Sequence, residues 1–281
     1  MKLAVFDLDG VLSTGEIFSK DTTRAILNGE KENLDRWKSF MTKKGVPCVA
    51  VTGRSLEITR ELLGYMDALS VCEHGTMIVD PKTGREYHIA EGDDHFRNLT
   101  GAKNRLEEFI HHAGQHDEFL GAKFDGAELT RMRDNLHILT YEFNSPDGEA
   151  FARSLYSEVV KFMSPELRSD LDDGRLVAKT CDMALDIIPG VSKKDGLIHI
   201  LGELGVATKD VIILGDSYHS DGEMMKGVPD GIWICPGNAD KRLKRAVSSR
   251  GERGYVAEKP FFEGAMEGLE YFLGSSSPSQ S

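Results

Sequence analysis

The 281-residue chain carries 34 basic and 46 acidic side chains, a net charge of −12. That balance argues against a nucleic-acid-binding surface, which needs a basic face, and an anionic ligand would have to be held by local cations. With 40% apolar and 28% charged residues the composition is that of a globular protein long enough for one large domain or two modest ones.

No stretch approaches the roughly 20 apolar residues of a membrane helix, so no membrane partner is expected. The four apolar residues between Lys2 and Asp7 are too few for a signal peptide. Cys48, Cys72, Cys181 and Cys235 stand far apart without metal-type spacing and read as free thiols, mostly buried. A cytoplasmic location is expected.

The first predicted element is a strand, Leu3–Phe6, an apolar run without alternation. Asp7-Leu8-Asp9-Gly10 follows directly. Carboxylates at the end of a buried strand are costly unless something pairs with them, and a metal, a substrate or a turn would each supply the reason. An EF-hand loop does not fit, because its glycine comes later and a helix leads into it. A helix over Asp21–Lys44 and a second buried strand over Val46–Val51 come next, the strand ending in Thr52-Gly53-Arg54-Ser55. That segment sets a hydroxyl, a flexible glycine and an arginine at a strand end, with Ser55 as N-cap of a helix to Met66. Asp80–Gly84 makes a tight turn.

From about Tyr87 to Ala184 the pattern changes. Helices over Ala102–His112 and Gly148–Phe162, a strand over Leu136–Phe143 and a strand pair around Arg175–Ala178 and Met183–Ile187 read as an α/β insertion. Strand–helix alternation then resumes. Lys193 opens a helix to Leu204; a lysine in a first turn opposes the helix dipole, so it is either solvated or held by a local anion. Strand Val211–Leu214 ends in Gly215-Asp216, with Asp221 five residues on, and strand Ile232–Cys235 leads to a helix over Asp240–Arg250. The serine-rich segment 275–281 reads as a disordered tail.

Buried strands alternating with helices predict a doubly wound α/β domain, in which ligands sit beyond the carboxyl ends of the strands. Asp7, Thr52 and Asp216 all fall at such ends. Two acidic strand ends on one rim suit an oxygen-liganded hard cation, magnesium best.

Asp-x-Asp, Thr52, Lys193 and Gly-Asp with a downstream Asp, in that order, resemble the signatures of haloacid dehalogenase superfamily phosphohydrolases. "CEHGTMIVD" (72–80) resembles the family's strand and turn before the cap, "ALDIIPGVSKKDGL" (184–197) its return from the cap, and "PGNADKRLKRA" (236–246) the Gly-Asn-Ala segment of Cof-like members. The insertion after the second motif places the resemblance in the type IIB branch, with sucrose-phosphate phosphatases among its members.

The resemblance implies a parallel-sheet core over 1–85 and 186–274 with an α/β cap over 86–185. It implies a magnesium-dependent phosphatase acting on a small phosphorylated metabolite, a sugar or polyol phosphate, as monomer or homodimer. Asp7 would be the nucleophile that forms an aspartyl-phosphate, and Asp9 the general acid and base. Lys193 and Thr52 would hold the phosphoryl group, with Gly53 and Arg54 as further substrate contacts. Asp7, the Asp9 carbonyl, Asp216 and Asp221 would hold magnesium.

Cof-like members place Asn-Asp four residues after the first Asp of the fourth motif. Here His219-Ser220 precede Asp221 and the spacing is five, so the contact made by that Asn has no counterpart unless His219 supplies it. Arg131, Arg133, His137 and Lys179 are the cap cations that an anionic or hydroxylated substrate would meet, but each reads first as a surface or structural residue and none is taken as a site. A phosphomutase of the phosphomannomutase kind and a non-catalytic phosphometabolite-binding protein are the alternatives. The intact Asp7, Asp9, Thr52, Lys193 and Asp216 count against the latter, since a binder needs no nucleophile.

Overall fold

The computed structural model describes residues 2–13, 31–92, 94–124, 128–131, 137–180 and 184–274. The expected helix residues 21–30, Cys181 and the tail 275–281 lie outside them. Two compact units emerge: Met1–Arg54, Ile58–Glu86 and Ser192–Ser281 form one, Ser55–Glu57 and Tyr87–Val191 the other. None of the described helices is long and apolar enough to cross a membrane.

The first unit is built on a five-stranded parallel sheet. Its strands lie side by side as Gly254–Val256, Ile232–Cys235, Val211–Leu214, Leu3–Phe6 and Cys48–Ala50. Leu3 to Phe6 and Val211 to Leu214 are all fully buried, which is why neither run alternates: each strand is covered on both faces. Numbered along the chain, the order is 2-1-3-4-5. The connections leave the first strand in opposite directions, so a crevice opens beyond the carboxyl ends of the first and third strands. Those ends are followed by Asp7 and by Gly215-Asp216.

Helix Lys31–Lys44 covers part of one face with Leu34, Trp37 and Met41, spaced three and four apart. The Trp37 ring packs edge-on to Phe6, centroids 4.9 Å apart. Helix Phe261–Gly274 joins the same cluster through Phe262, Ala265, Met266, Leu269 and Leu273. The Asp80–Gly84 turn forms, closed by Gly84 N–H donating to the Asp80 carbonyl at 2.9 Å.

The second unit holds a four-stranded antiparallel sheet, ordered Glu128–Arg131, Leu139–Asn144, Ala184–Pro189 and Leu176–Thr180. Leu139, Tyr141, Phe143, Leu185 and Ile187 share a core with residues of helices Thr100–His112, Gly148–Phe162 and Pro165–Asp172. The intervening residues Thr140 and Asp186 hydrogen-bond to each other across the strands at 2.7 Å. The boundary expected at 185 moves to Val191. Ala184–Pro189 is hydrogen-bonded on both sides within this sheet, so the chain leaves the unit only after that strand is complete.

Candidate active site

Asp7 extends the first strand by one rung, its backbone N–H donating to the Leu214 carbonyl at 3.1 Å. Its buried carboxylate accepts from the Leu8 N–H at Oδ1 (2.8 Å) and from Lys193 Nζ at Oδ2 (2.6 Å). The chain then turns sharply, with the N–H groups of Leu12 and Ser13 both donating to the Leu8 carbonyl. Gly10 sits in this turn at φ +71°, and a Cβ there would lie 1.9 Å from Asp216 Oδ2. Only glycine lets the two acidic loops come this close.

Lys193 owes its position to a capping box. Ser192 Oγ accepts from the Asp195 N–H, and the Asp195 carboxylate accepts from the Ser192 N–H, which sets the first turn of helix Lys193–Leu204. From that turn the buried ammonium donates to Asp7 at 2.6 Å and to Asp221 Oδ1 at 3.0 Å. Burial opposes its charge, but Asp221 and Asp7 more than offset this and raise its pKa, so Lys193 stays protonated. The anion that its place in a first turn calls for is a pair of carboxylates.

Asp221 heads the short helix Asp221–Lys226 and is fully buried. Besides Lys193 it accepts from the backbone N–H groups of Asp216 (2.8 Å) and Ser217 (3.1 Å), both at Oδ2. It thereby closes the 216–221 loop around the longer spacing. His219 is exposed at the apex.

Asp7, Asp216 and Asp221 each present an oxygen within 4.8 Å of the others. Burial pushes the Asp7 carboxyl well above its usual range, with Asp221 and Asp9 adding to the rise against Lys193. Burial likewise pushes Asp216 up to about 7, again with Asp221 and Asp9 raising it and Lys193 opposing. One ammonium does not neutralise this group. An all-oxygen set of crowded, buried carboxylates is the donor chemistry of a small hard divalent cation, and magnesium fits it.

The Asp9 side chain stands outside that group. Arg54 grips it with two bonds of 2.8 Å, Nε to Oδ2 and Nη2 to Oδ1. Thr52 is fully buried; its Oγ1 accepts from the Arg54 N–H, while its own N–H and carbonyl bond to Val71 and His74. Gly53 lies under the His74 ring, where a Cβ would be 2.7 Å from the imidazole. Asp7, Asp9, Thr52, Gly53, Arg54, Lys193, Asp216 and Asp221 thus all belong to the first unit. In the second unit His137 Nδ1 pairs with Glu107, and Lys179 stands opposite Asp186; Arg133 lies outside the described residues.

Sequence reasoning assigns no role to Asn238 and Asp240, which reach both acidic loops. Asn238 Nδ2 donates to the Gly10 carbonyl, and the Asp240 N–H donates to the Asp216 carbonyl, each at 2.9 Å. The signal for them was a polar pair in the turn after strand Ile232–Cys235, on the rim that carries Asp7 and Asp216.

The sucrose-6F-phosphate phosphohydrolase family matches residues 116–273, more than half of the chain. The chain belongs to that family. It is therefore a phosphoric monoester hydrolase of haloacid dehalogenase type, a sugar-phosphate phosphatase. The matched span includes Lys193, Asp216 and Asp221 and begins after Asp7, Asp9 and Thr52. No curated protein matches the sequence.

Among solved structures, the phosphatase is similar to the sucrose-phosphatase of Synechocystis in complex with sucrose and phosphate. The identity is 16% and the TM-score 0.61, over 96% of this chain and 97% of that one. The C-terminal domain of trehalose-6-phosphate phosphatase from C. albicans matches at 14% and 0.61, over 97% and 91%. A haloacid dehalogenase-like hydrolase from Bacteroides thetaiotaomicron matches at 18% and 0.53, over 96% and 99%. At these identities the likeness is one of fold.

Proposed function

We propose that this phosphatase hydrolyses a sugar phosphate of the sucrose 6F-phosphate kind in two in-line steps, with Asp7 as nucleophile. The observation that carries this reading is the Lys193 ammonium held at once on Asp7 and Asp221 at the carboxyl ends of the first and third strands. A buried cation fixed on a carboxylate in that crevice suits a nucleophile that must meet a phosphate dianion.

In the first step an Asp7 oxygen bonds to phosphorus, the phosphorus–sugar oxygen bond breaks, and Asp9 gives its proton to the departing alkoxide. In the second, a water oxygen bonds to phosphorus, its proton passes to Asp9, and the aspartyl–phosphorus bond breaks. Asp7 is then restored and inorganic phosphate leaves. Lys193, Thr52 and the Gly53 segment hold the phosphoryl oxygens, and Arg54 fixes the direction of the Asp9 carboxylate. Asp7, the Asp9 carbonyl, Asp216 and Asp221 are the groups that would hold magnesium, which when bound would offset the negative charge gathered there. Burial pushes the Cys48 and Cys235 thiols up to about 12, which keeps them unreactive and suits a cytoplasmic enzyme.

The test is phosphate release from sucrose 6F-phosphate and a panel of other sugar phosphates, with magnesium and with EDTA, by wild type and Asp7→Asn. Release that requires magnesium and vanishes in Asp7→Asn is expected. Release that persists in Asp7→Asn would remove Asp7 as the nucleophile.

A further inference from the structure

The two acidic loops of the site come from the first and third strands of the sheet and share no covalent link shorter than 200 residues. Besides Lys193, which bonds to carboxylates of both, a segment among the described residues holds both by their backbone carbonyls. It runs from Gly237 to Asp240, directly after strand Ile232–Cys235. At one end Asn238 Nδ2 donates to the Gly10 carbonyl at 2.9 Å. Two residues on, the Asp240 N–H donates to the Asp216 carbonyl at 2.9 Å. The Asp240 carboxylate also accepts from the Tyr218 N–H in the same loop, and from the Arg242 and Leu243 N–H groups at 2.8 Å each, as N-cap of helix Lys241–Ser248.

The Asn238 amide is oriented. Its Oδ1 accepts from the Phe261 N–H at 2.6 Å, which leaves the Nδ2 end facing Gly10. Phe261 makes that contact from φ +49°, a left-handed conformation unfavourable for a bulky residue. The segment is itself anchored, with the Gly237 N–H donating to the Lys259 carbonyl at 2.7 Å and Lys244 Nζ donating to the Gly237 carbonyl at 2.5 Å. Gly10, the residue Asn238 holds, is the one that lies against the Asp216 carboxylate.

We infer that Asn238 is a positioning residue for the phosphatase reaction. With Asp240 it forms a brace that sets the spacing of the Asp7–Gly10 loop against the Asp216 loop, and so the separation of the carboxylates that take the cation. This rests on the reading of those carboxylates as a magnesium site. The brace touches neither substrate nor cation. It acts through two backbone carbonyls, and its loss loosens the geometry around an intact set of side chains. Outer partners of this kind typically contribute about 10- to 100-fold in metal affinity.

The test uses the full chain, as wild type, Asn238→Ala and Asn238→Asp, stripped with EDTA and titrated with magnesium chloride by calorimetry. Phosphate release at saturating sugar phosphate is followed in parallel. Asn238→Asp is the deciding variant, because it keeps the acceptor for the Phe261 N–H and replaces the donor to Gly10 with a carboxylate oxygen. Its added negative charge would by itself tighten cation binding, so a loss reports the missing donor. Magnesium binding weaker by about tenfold or more is expected in both variants. A fall in kcat with little change in KM for the sugar phosphate should accompany it. An Asn238→Asp protein that binds magnesium and turns over like wild type overturns the inference and leaves the site reading intact. A wild type that neither binds magnesium nor releases phosphate overturns the site reading, and the brace with it.

Discussion

Arg54 meets Asp9 through both edges of a planar fork, two bonds of 2.8 Å on a side chain left 31% exposed. A lysine presents a single ammonium and cannot reproduce that paired geometry. If Asp9 exchanges protons with the leaving group and then with water, its direction matters more than its charge. Arg54→Lys should therefore lower kcat by at least about tenfold, since a displacement of the order of 1 Å can cost about 100-fold. Measuring kcat and KM separately decides this. A change confined to KM would make Arg54 a substrate clamp and no more. The same distinction applies to Asp221, whose two oxygens take three donors and which shapes the loop as much as it faces a cation.

Helix Lys31–Lys44 contributes no group to the site, yet it braces the strand that ends at Asp7. Trp37 is fully buried against Phe6, the residue before Asp7, in the cluster that also holds Cys48 of the neighbouring strand. Truncation would leave a large cavity against two of the five strands. Trp37→Ala should cost about 3–5 kcal/mol of folding stability, the usual range for a buried aromatic. Urea unfolding of the metal-free protein measures this. A loss below about 1 kcal/mol would mean that the helix packs more loosely against the sheet than its burial indicates.

Considered as one ionisable body, the protein concentrates negative charge at its site while carrying −12 overall. Asp216 is held up at about 7, against 3.8 as the ordinary value, so without metal its ionisation destabilises the fold. The sign follows from linkage: the folded protein holds this proton more tightly than the unfolded chain, so that contribution is present at low pH and lost as pH rises through about 7. Magnesium at this site would bind the ionised form, and its affinity should rise over the same interval. The magnesium-induced increase in unfolding temperature should accordingly be larger at pH 8 than at pH 5.5. Thermal scans with EDTA and with magnesium at both values check it, and an increment that shrinks with rising pH would contradict the assignment.

The buried parallel strands, the polar residues at their carboxyl ends and the presence of an insertion were legible in the chain. Unbroken apolar runs, glycine-rich turns and helix signals are local, and each needs only its neighbours in sequence. Asp7, Thr52 and Asp216 were visible for the same reason, as polar groups placed where a buried strand stops, and Lys193 as a cation in the first turn of a helix. What was not legible lies in pairings across long separations. Arg54 finds Asp9 45 residues away, and Asn238 finds Gly10 across 228. The end of the second unit was also misplaced, because the strand Ala184–Pro189 belongs to whichever sheet hydrogen-bonds it, and its own residues do not say which. Composition and periodicity set which elements form and what chemistry they carry to their ends. Packing alone chose which carboxylate met the ammonium, which met the guanidinium, and which were left crowded together for a cation.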